Sequence, residues 1–132
     1  MISHIFISVS HFQRAFLFYS SIMGELGMQL KFNDPAKPWA GWMAPDAPRP
    51  LFVIGIPYNG QAAAPGNGQM IALLAPTRGI VDRVHSAALK RGGTCEGAPG
   101  LRPHYHPDYY GAYFRDMDGN KLGVACHSPV EE

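Results

Sequence analysis

The first nine residues alternate. Ile5, Ile7 and Val9 fall on one side of an extended chain, and His4, Phe6 and Ser8 on the other. That is the period-two pattern of a strand with one face in a core. The period then changes. Between His11 and Leu26, apolar side chains recur at Phe12, Ala15, Tyr19, Ile22 and Leu26, while Phe16, Leu17, Phe18 and Met23 widen the stripe. The spacing predicts a helix with Ser10 as its cap and Gly27 at its end. So wide a stripe predicts burial on more than one side. Strand-type runs follow at Met28–Asp34, Trp39–Ala44 and Leu51–Pro57, with Pro45–Pro50 read as a turn. Tyr58–Gly68 collects Gly, Pro, Asn and Ala and reads as a loop.

At Gln69 the pattern restarts. Gln69–Ala75 reads as a strand, Thr77 as a helix cap, and Arg78–Arg91 as a helix with Ile80, Val81, Val84, Ala87, Ala88 and Leu89 apolar. Gly92-Gly93 stops it. A short strand near Thr94–Glu96 and a loop through Pro107 lead to two strands, Tyr109–Arg115 and Lys121–His127. Asp116-Met117-Asp118-Gly119-Asn120 joins them as a tight hairpin. The same spacing separates His4 from Met70 and His11 from Thr77, so strand, helix and strands come twice in step. On pattern alone, an unrelated α+β fold with two helices explains the same string.

Composition narrows the function classes. The chain has 132 residues, of which 46% are hydrophobic and only 16% charged, with a formal net charge of +1. One domain spanning 1–132 with a substantial core is expected. The low charge predicts a rather apolar surface. No Lys/Arg cluster suited to nucleic acid occurs, no apolar run is long enough to span a membrane, and the N-terminus carries no export signal. A cytoplasmic protein without nucleic-acid or membrane partners is expected. Cys95 and Cys126 lack metal-type spacing and are expected as reduced thiols.

Three segments carry a resemblance. Gly111-Ala112-Tyr113-Phe114-Arg115-Asp116-Met117-Asp118-Gly119-Asn120-Lys121-Leu122 resembles the closing strand pair of the vicinal oxygen chelate superfamily (glyoxalase, bleomycin resistance protein, extradiol dioxygenase). Ser3-His4-Ile5 through Phe18-Tyr19 resembles its opening strand and helix. Gly100–Gly111, with Arg102, His104, His106 and Tyr110, is similar to a glyoxalase-like branch. The resemblance implies an α+β fold of two tandem βαβββ modules, about 1–58 and 68–128, whose curved mixed sheet surrounds a cleft. It also implies a divalent metal held by His and Glu, which would polarise substrate oxygens.

The ligand positions depart from that pattern. His4 matches the first-strand histidine. Met70 stands where the second module should carry its histidine, and Gly123 where the last strand should carry Glu. Leu51–Pro57 offers no Asp, Glu, His or Cys. A catalytic metal normally needs about three protein ligands, and a thioether is a poor one for hard or borderline cations. His127 shares a strand face with Gly123 but lies roughly 13 Å along it, too far to substitute. The implied cleft face of Ile2, His4, Phe6, Ser8, Met70, Ala72, Leu74, Gly123 and Ala125 is mostly apolar.

Two functions follow as expectations. The first is a lactoylglutathione-lyase-like enzyme on a small carbonyl or thiol-adduct substrate. There His4 would be the surviving metal ligand or general base, with Phe6, Met70, Arg102, His104, His106 and Tyr110 contacting substrate. The second is a non-catalytic, drug-sequestering protein using an apolar cleft. His104-X-His106 could also clip a metal if extended. His85, beside Asp82 and Arg83, is expected in solvent. The apolar width of the first helix predicts a homodimer.

Overall fold

Parallel pairing of a first strand with a last one defines each half of the molecule. In a computed structural model, which describes residues 1–130, the elements run β1 (His4–Ser8), α1 (Phe12–Glu25), β2 (Gln29–Asp34), β3 (Trp39–Ala44), β4 (Ala47–Gly55), β5 (Ile71–Leu74), α2 (Arg78–Lys90), β6 (Thr94–Leu101), β7 (Tyr110–Arg115) and β8 (Lys121–Cys126). They form two four-stranded sheets, ordered β1-β4-β3-β2 and β5-β8-β7-β6. In each, the first strand runs parallel to the last and the other pairs are antiparallel. The same order twice makes two βαβββ modules of an α+β fold, as the doubled pattern predicted. Among the described residues, no helix is long and apolar enough to cross a membrane.

Alternation sorts the strands as read. Ile7 and Val9 of the first strand segment are buried, as are Phe52 and Ile54 of β4, Ala40 and Trp42 of β3, and Leu122, Val124 and Cys126 of β8. These faces carry the helices, and α1 and α2 pack on each other. The wide stripe of α1 is used on two fronts. Phe16 stacks on Trp42 of the first sheet at 5.8 Å, and Phe18 reaches Phe114 of the second at 6.1 Å. Phe18 and Phe114 are fully buried, and a fully buried side chain of this size contributes about 1.5–3 kcal/mol. The reason to expect a partner on α1 is thereby taken up inside the chain, with Leu17 left 53% exposed.

Four local readings change, the first being that β6 runs on to Leu101 where a loop was expected after Glu96, because it stays paired with β7 as far as Tyr110. Thr77 caps α2 as expected, accepting from the Ile80 amide at 3.1 Å, but His11, not Ser10, is the N-cap of α1, and it makes no side-chain cap bond. The Ser10 hydroxyl accepts instead from the Ala63 amide at 3.0 Å, tying down the inter-module loop. Pro48 and Pro50, read as turn residues, lie in β4, whose start pairs only with β3 because β1 meets β4 from Leu51 onward. A strand segment free on one side tolerates prolines. His85 is buried, not solvated, with Nε2 at 3.2 Å from the Cys95 sulfur, and burial lowers its pKa. Both cysteines are free thiols, Cys95 exposed and Cys126 buried.

The hairpin motif that suggests a family also locks the modules together. Asp116 is 4% exposed. Its Oδ1 accepts from the amides of Asp118 and Asn120, and its Oδ2 from Asn120 Nδ2 and the Tyr19 hydroxyl of α1, at 2.6–3.0 Å. Asn120 Nδ2 also donates to the Ser8 carbonyl, and the Ser10 amide donates to Asp118. Four donors on one carboxylate supply what a buried charge requires. Gly119 at φ 89° makes the turn possible.

Candidate functional site on the open sheet faces

Opposite the helices, each sheet presents a face floored by aromatic rings lying on glycines. In the first sheet, Phe6, Val53, Gly41 and Phe32 form one row in register, and Ser8, Gly55 and Trp39 the next. A Cβ at Gly41 would meet the Phe32 ring at 2.6 Å, and one at Gly55 the Phe6 ring at 3.0 Å. In the second sheet, Ala72, Gly123, Tyr113 and Gly97 form the corresponding row. The Tyr113 ring lies 3.1 Å from where a Cβ would stand on either Gly123 or Gly97. Tyr109 folds over Gly111 and joins its hydroxyl to that of Tyr113 at 2.9 Å. Burial, then the bond to Tyr109, raises the pKa of Tyr113, so it is a neutral phenol at physiological pH.

His4 and Phe6 line an open cavity of about 930 Å³ together with Lys37, Trp39, Tyr58 and Asn59. Phe6, 47% exposed, also borders a smaller cavity of about 150 Å³ shared with Met70 and Lys121, which bridges toward the second sheet. His4 Nδ1 is 3.0 Å from the Ser3 hydroxyl. Arg102 holds the Ala98 carbonyl at 2.8 Å, and its guanidinium lies 5.7 Å from the Tyr113 ring centre. The sequence-derived list thus puts His4, Phe6, Met70 and Arg102 on or beside the open faces.

The remaining three differ. Tyr110 points to the helix side, donating to Asp82 of α2 at 2.7 Å, and that bond raises its pKa. The residues that take its expected place are its neighbour Tyr109 and Tyr113, one face over. His104 lies against Tyr105, with ring centres 4.3 Å apart, and does not share a site with His106. His106 pairs instead with His127, Nε2 to Nδ1 at 2.8 Å, and Tyr109 packs edge-on to both rings. The Asp108 amide donates to His106 Nδ1, so the proton of that ring sits on Nε2 and faces His127. The two facing nitrogens, His106 Nε2 and His127 Nδ1, are thus engaged with each other. Residues 109, 111 and 113 share a face with 123, 125 and 127 by simple alternation, a signal that would have found Tyr109, Tyr113 and His127.

The donor set decides the metal question. Module symmetry pairs His4 with Met70, and the Phe6–Val53 row with the Ala72–Gly123 row. The positions that the resemblance marks for ligands, His4, Met70 and Gly123, are thus joined by Val53 as the symmetry mate of Gly123. Only His4 offers a suitable donor, and the Tyr113 ring fills the space above Gly123. Among the described residues no three His, Cys, Asp or Glu side chains gather. These residues do not fit a catalytic divalent metal.

The family model for the Glyoxalase/Bleomycin resistance protein/Dioxygenase superfamily matches residues 1–124. The chain belongs to this superfamily. A glyoxalase/bleomycin resistance protein from Albidiferax ferrireducens T118 is 32% identical, with a TM-score of 0.84 over 96% of this chain and 98% of that one. Two further structures share the fold at lower identity. A glyoxalase-related enzyme from Fulvimarina pelagi is 16% identical, with a TM-score of 0.72 over 96% of this chain and 87% of that one. TnmS3, an antibiotic binding protein from Streptomyces sp. CB03234, is 20% identical, with a TM-score of 0.64 over 97% and 96%. No curated protein matches. The superfamily's closing hairpin motif is thus the clasp around Asp116, a structural use separate from the ligand positions.

Proposed function

We propose that this chain binds a small, largely apolar aromatic molecule on its open sheet faces without a metal, a sequestering role in place of glyoxalase-type catalysis. The observation that carries this reading is Tyr113. Its ring lies between Gly97 and Gly123 and takes the volume a ligating Glu side chain would need. With Phe6, Phe32, Trp39 and Tyr109 it makes flat, apolar floors, the kind of lining small-molecule sites use. The antibiotic-binding neighbour supports the same reading at the level of fold. A lactoylglutathione-lyase-like reaction would require ligands that Val53, Met70 and Gly123 do not supply.

Metal titration by calorimetry with Zn²⁺, Ni²⁺ and Mn²⁺, run beside a fluorescence screen of uncharged polycyclic aromatics quenching Trp39, tests the proposal. No stoichiometric metal and at least one saturable aromatic ligand are expected. Stoichiometric metal that disappears in His4→Ala would overturn it.

A further inference from the structure

Three cations stand over aromatic rings on the open faces. Lys37 Nζ lies 5.7 Å from the centre of Trp39, and Arg102 and Lys121 each lie 5.7 Å from the centre of Tyr113. A fourth such contact, Arg78 over Tyr110 at 5.4 Å, is on the helix side. Arg78 has Asp108 within 3.9 Å, and the other ion pairs, Arg83–Glu25 and Arg115–Glu96, use cations outside the three. Lys37, Arg102 and Lys121 have no carboxylate partner among the described residues. No Asp or Glu lines the 930 Å³ cavity or the 150 Å³ cavity between Phe6 and Met70.

Three cations around the exposed aromatic floors thus stand without a carboxylate partner among the described residues. A cation resting on a ring gains little at an exposed site. It remains available to an anion, whose attraction grows as an apolar ligand excludes water.

Resting on the ligand-binding reading above, we infer that the site is selective for planar aromatic anions, such as aromatic carboxylates or phenolates. The ring stacks on Trp39 or Tyr113 and the negative group is met by Lys37, or by Arg102 and Lys121. Two such half-sites exist, one on each sheet. His4 adds no opposing charge to the first.

Naphthoate and the uncharged naphthamide present the same ring with and without the charge. Titrating each against wild type and against the triple variant Lys37→Gln, Arg102→Gln, Lys121→Gln, by calorimetry at low and high salt, tests the inference. Naphthoate is expected to bind roughly tenfold more tightly than naphthamide at low salt, with most of the preference lost at high salt. The triple variant is expected to lose the preference, binding naphthoate no more tightly than naphthamide. Equal affinity for both probes in wild type, or an undiminished preference in the variant, overturns the charge selectivity while leaving aromatic binding intact. Binding of neither probe overturns the ligand-site reading and this inference with it. Circular dichroism of the variant separates lost binding from lost fold.

Discussion

Replacing Tyr19 by Phe removes one atom from the clasp that ties α1 to the β7–β8 hairpin. The hydroxyl is fully buried and donates to Asp116 Oδ2 at 2.6 Å. A hydrogen bond to a charged group is worth about 1.5–3 kcal/mol, so Tyr19→Phe is expected to lose about 2 kcal/mol. Asp116→Asn does more damage at equal volume. Whichever oxygen becomes NH₂, two donors in buried or part-buried bonds lose an acceptor and face an NH₂, because each oxygen serves two. At about 1–3 kcal/mol per unsatisfied group, the loss is about 2–5 kcal/mol. That is a large share of the 5–15 kcal/mol typical of a domain. The double variant should lose less than the sum, since both act through one bond. The clasp also has a pH signature. Burial, then the Asp116 charge, holds the Tyr19 pKa well above the ordinary phenol value. The neutral phenol is the folded form, so its contribution is full below pH ~10 and is lost as pH rises beyond that. Tyr19→Phe should flatten this alkaline limb. Urea unfolding followed by circular dichroism and tryptophan fluorescence reads all four chains, with m unchanged. An Asp116→Asn protein within about 0.5 kcal/mol of wild type, the range of neutral surface changes, would refute the account of the motif as a structural clasp.

Further outcomes follow from the site and the core. The His85 pKa is lowered, by burial first, so the folded state prefers neutral imidazole. Its contribution should be complete above pH ~6.5 and fall away as pH drops below that, and unfolding free energies from pH 5 to 8 should show a rise that His85→Gln abolishes. Gly123→Ala puts a Cβ 3.1 Å from the Tyr113 ring and should cost about 1–3 kcal/mol, largely recovered when Tyr113 is also changed to Ala. The metal site should respond to the same ring. Met70→His with Gly123→Glu alone should gain little divalent-metal affinity by calorimetry, and adding Tyr113→Ala should raise it, whereas tight binding by the double variant would disprove the blocking role.

Much of the architecture was legible along the chain because it depends on periodicity. Alternation at Ile5, Ile7 and Val9 and at Leu122, Val124 and Cys126 assigned the helix-side faces. The spacing in Arg78–Arg91 located α2, and the repeated strand-helix-strands order announced two modules. The donor types at the positions that the resemblance marks are a matter of residue type alone, since Met offers only a thioether and Gly no side chain in any conformation. What only tertiary structure decided involves partners distant in sequence. Ser10 caps nothing because the Ala63 amide claims its hydroxyl. His127 looked too remote to matter until the chain returned His106 to 2.8 Å from it. Tyr109 and Tyr113, not Tyr110, face the cleft because the strand register, one residue from reversing every side chain, is set by pairing with β8. The residue types specify the available chemistry, but the fold selects which groups meet, because each contact joins segments whose separation along the chain carries no local signal.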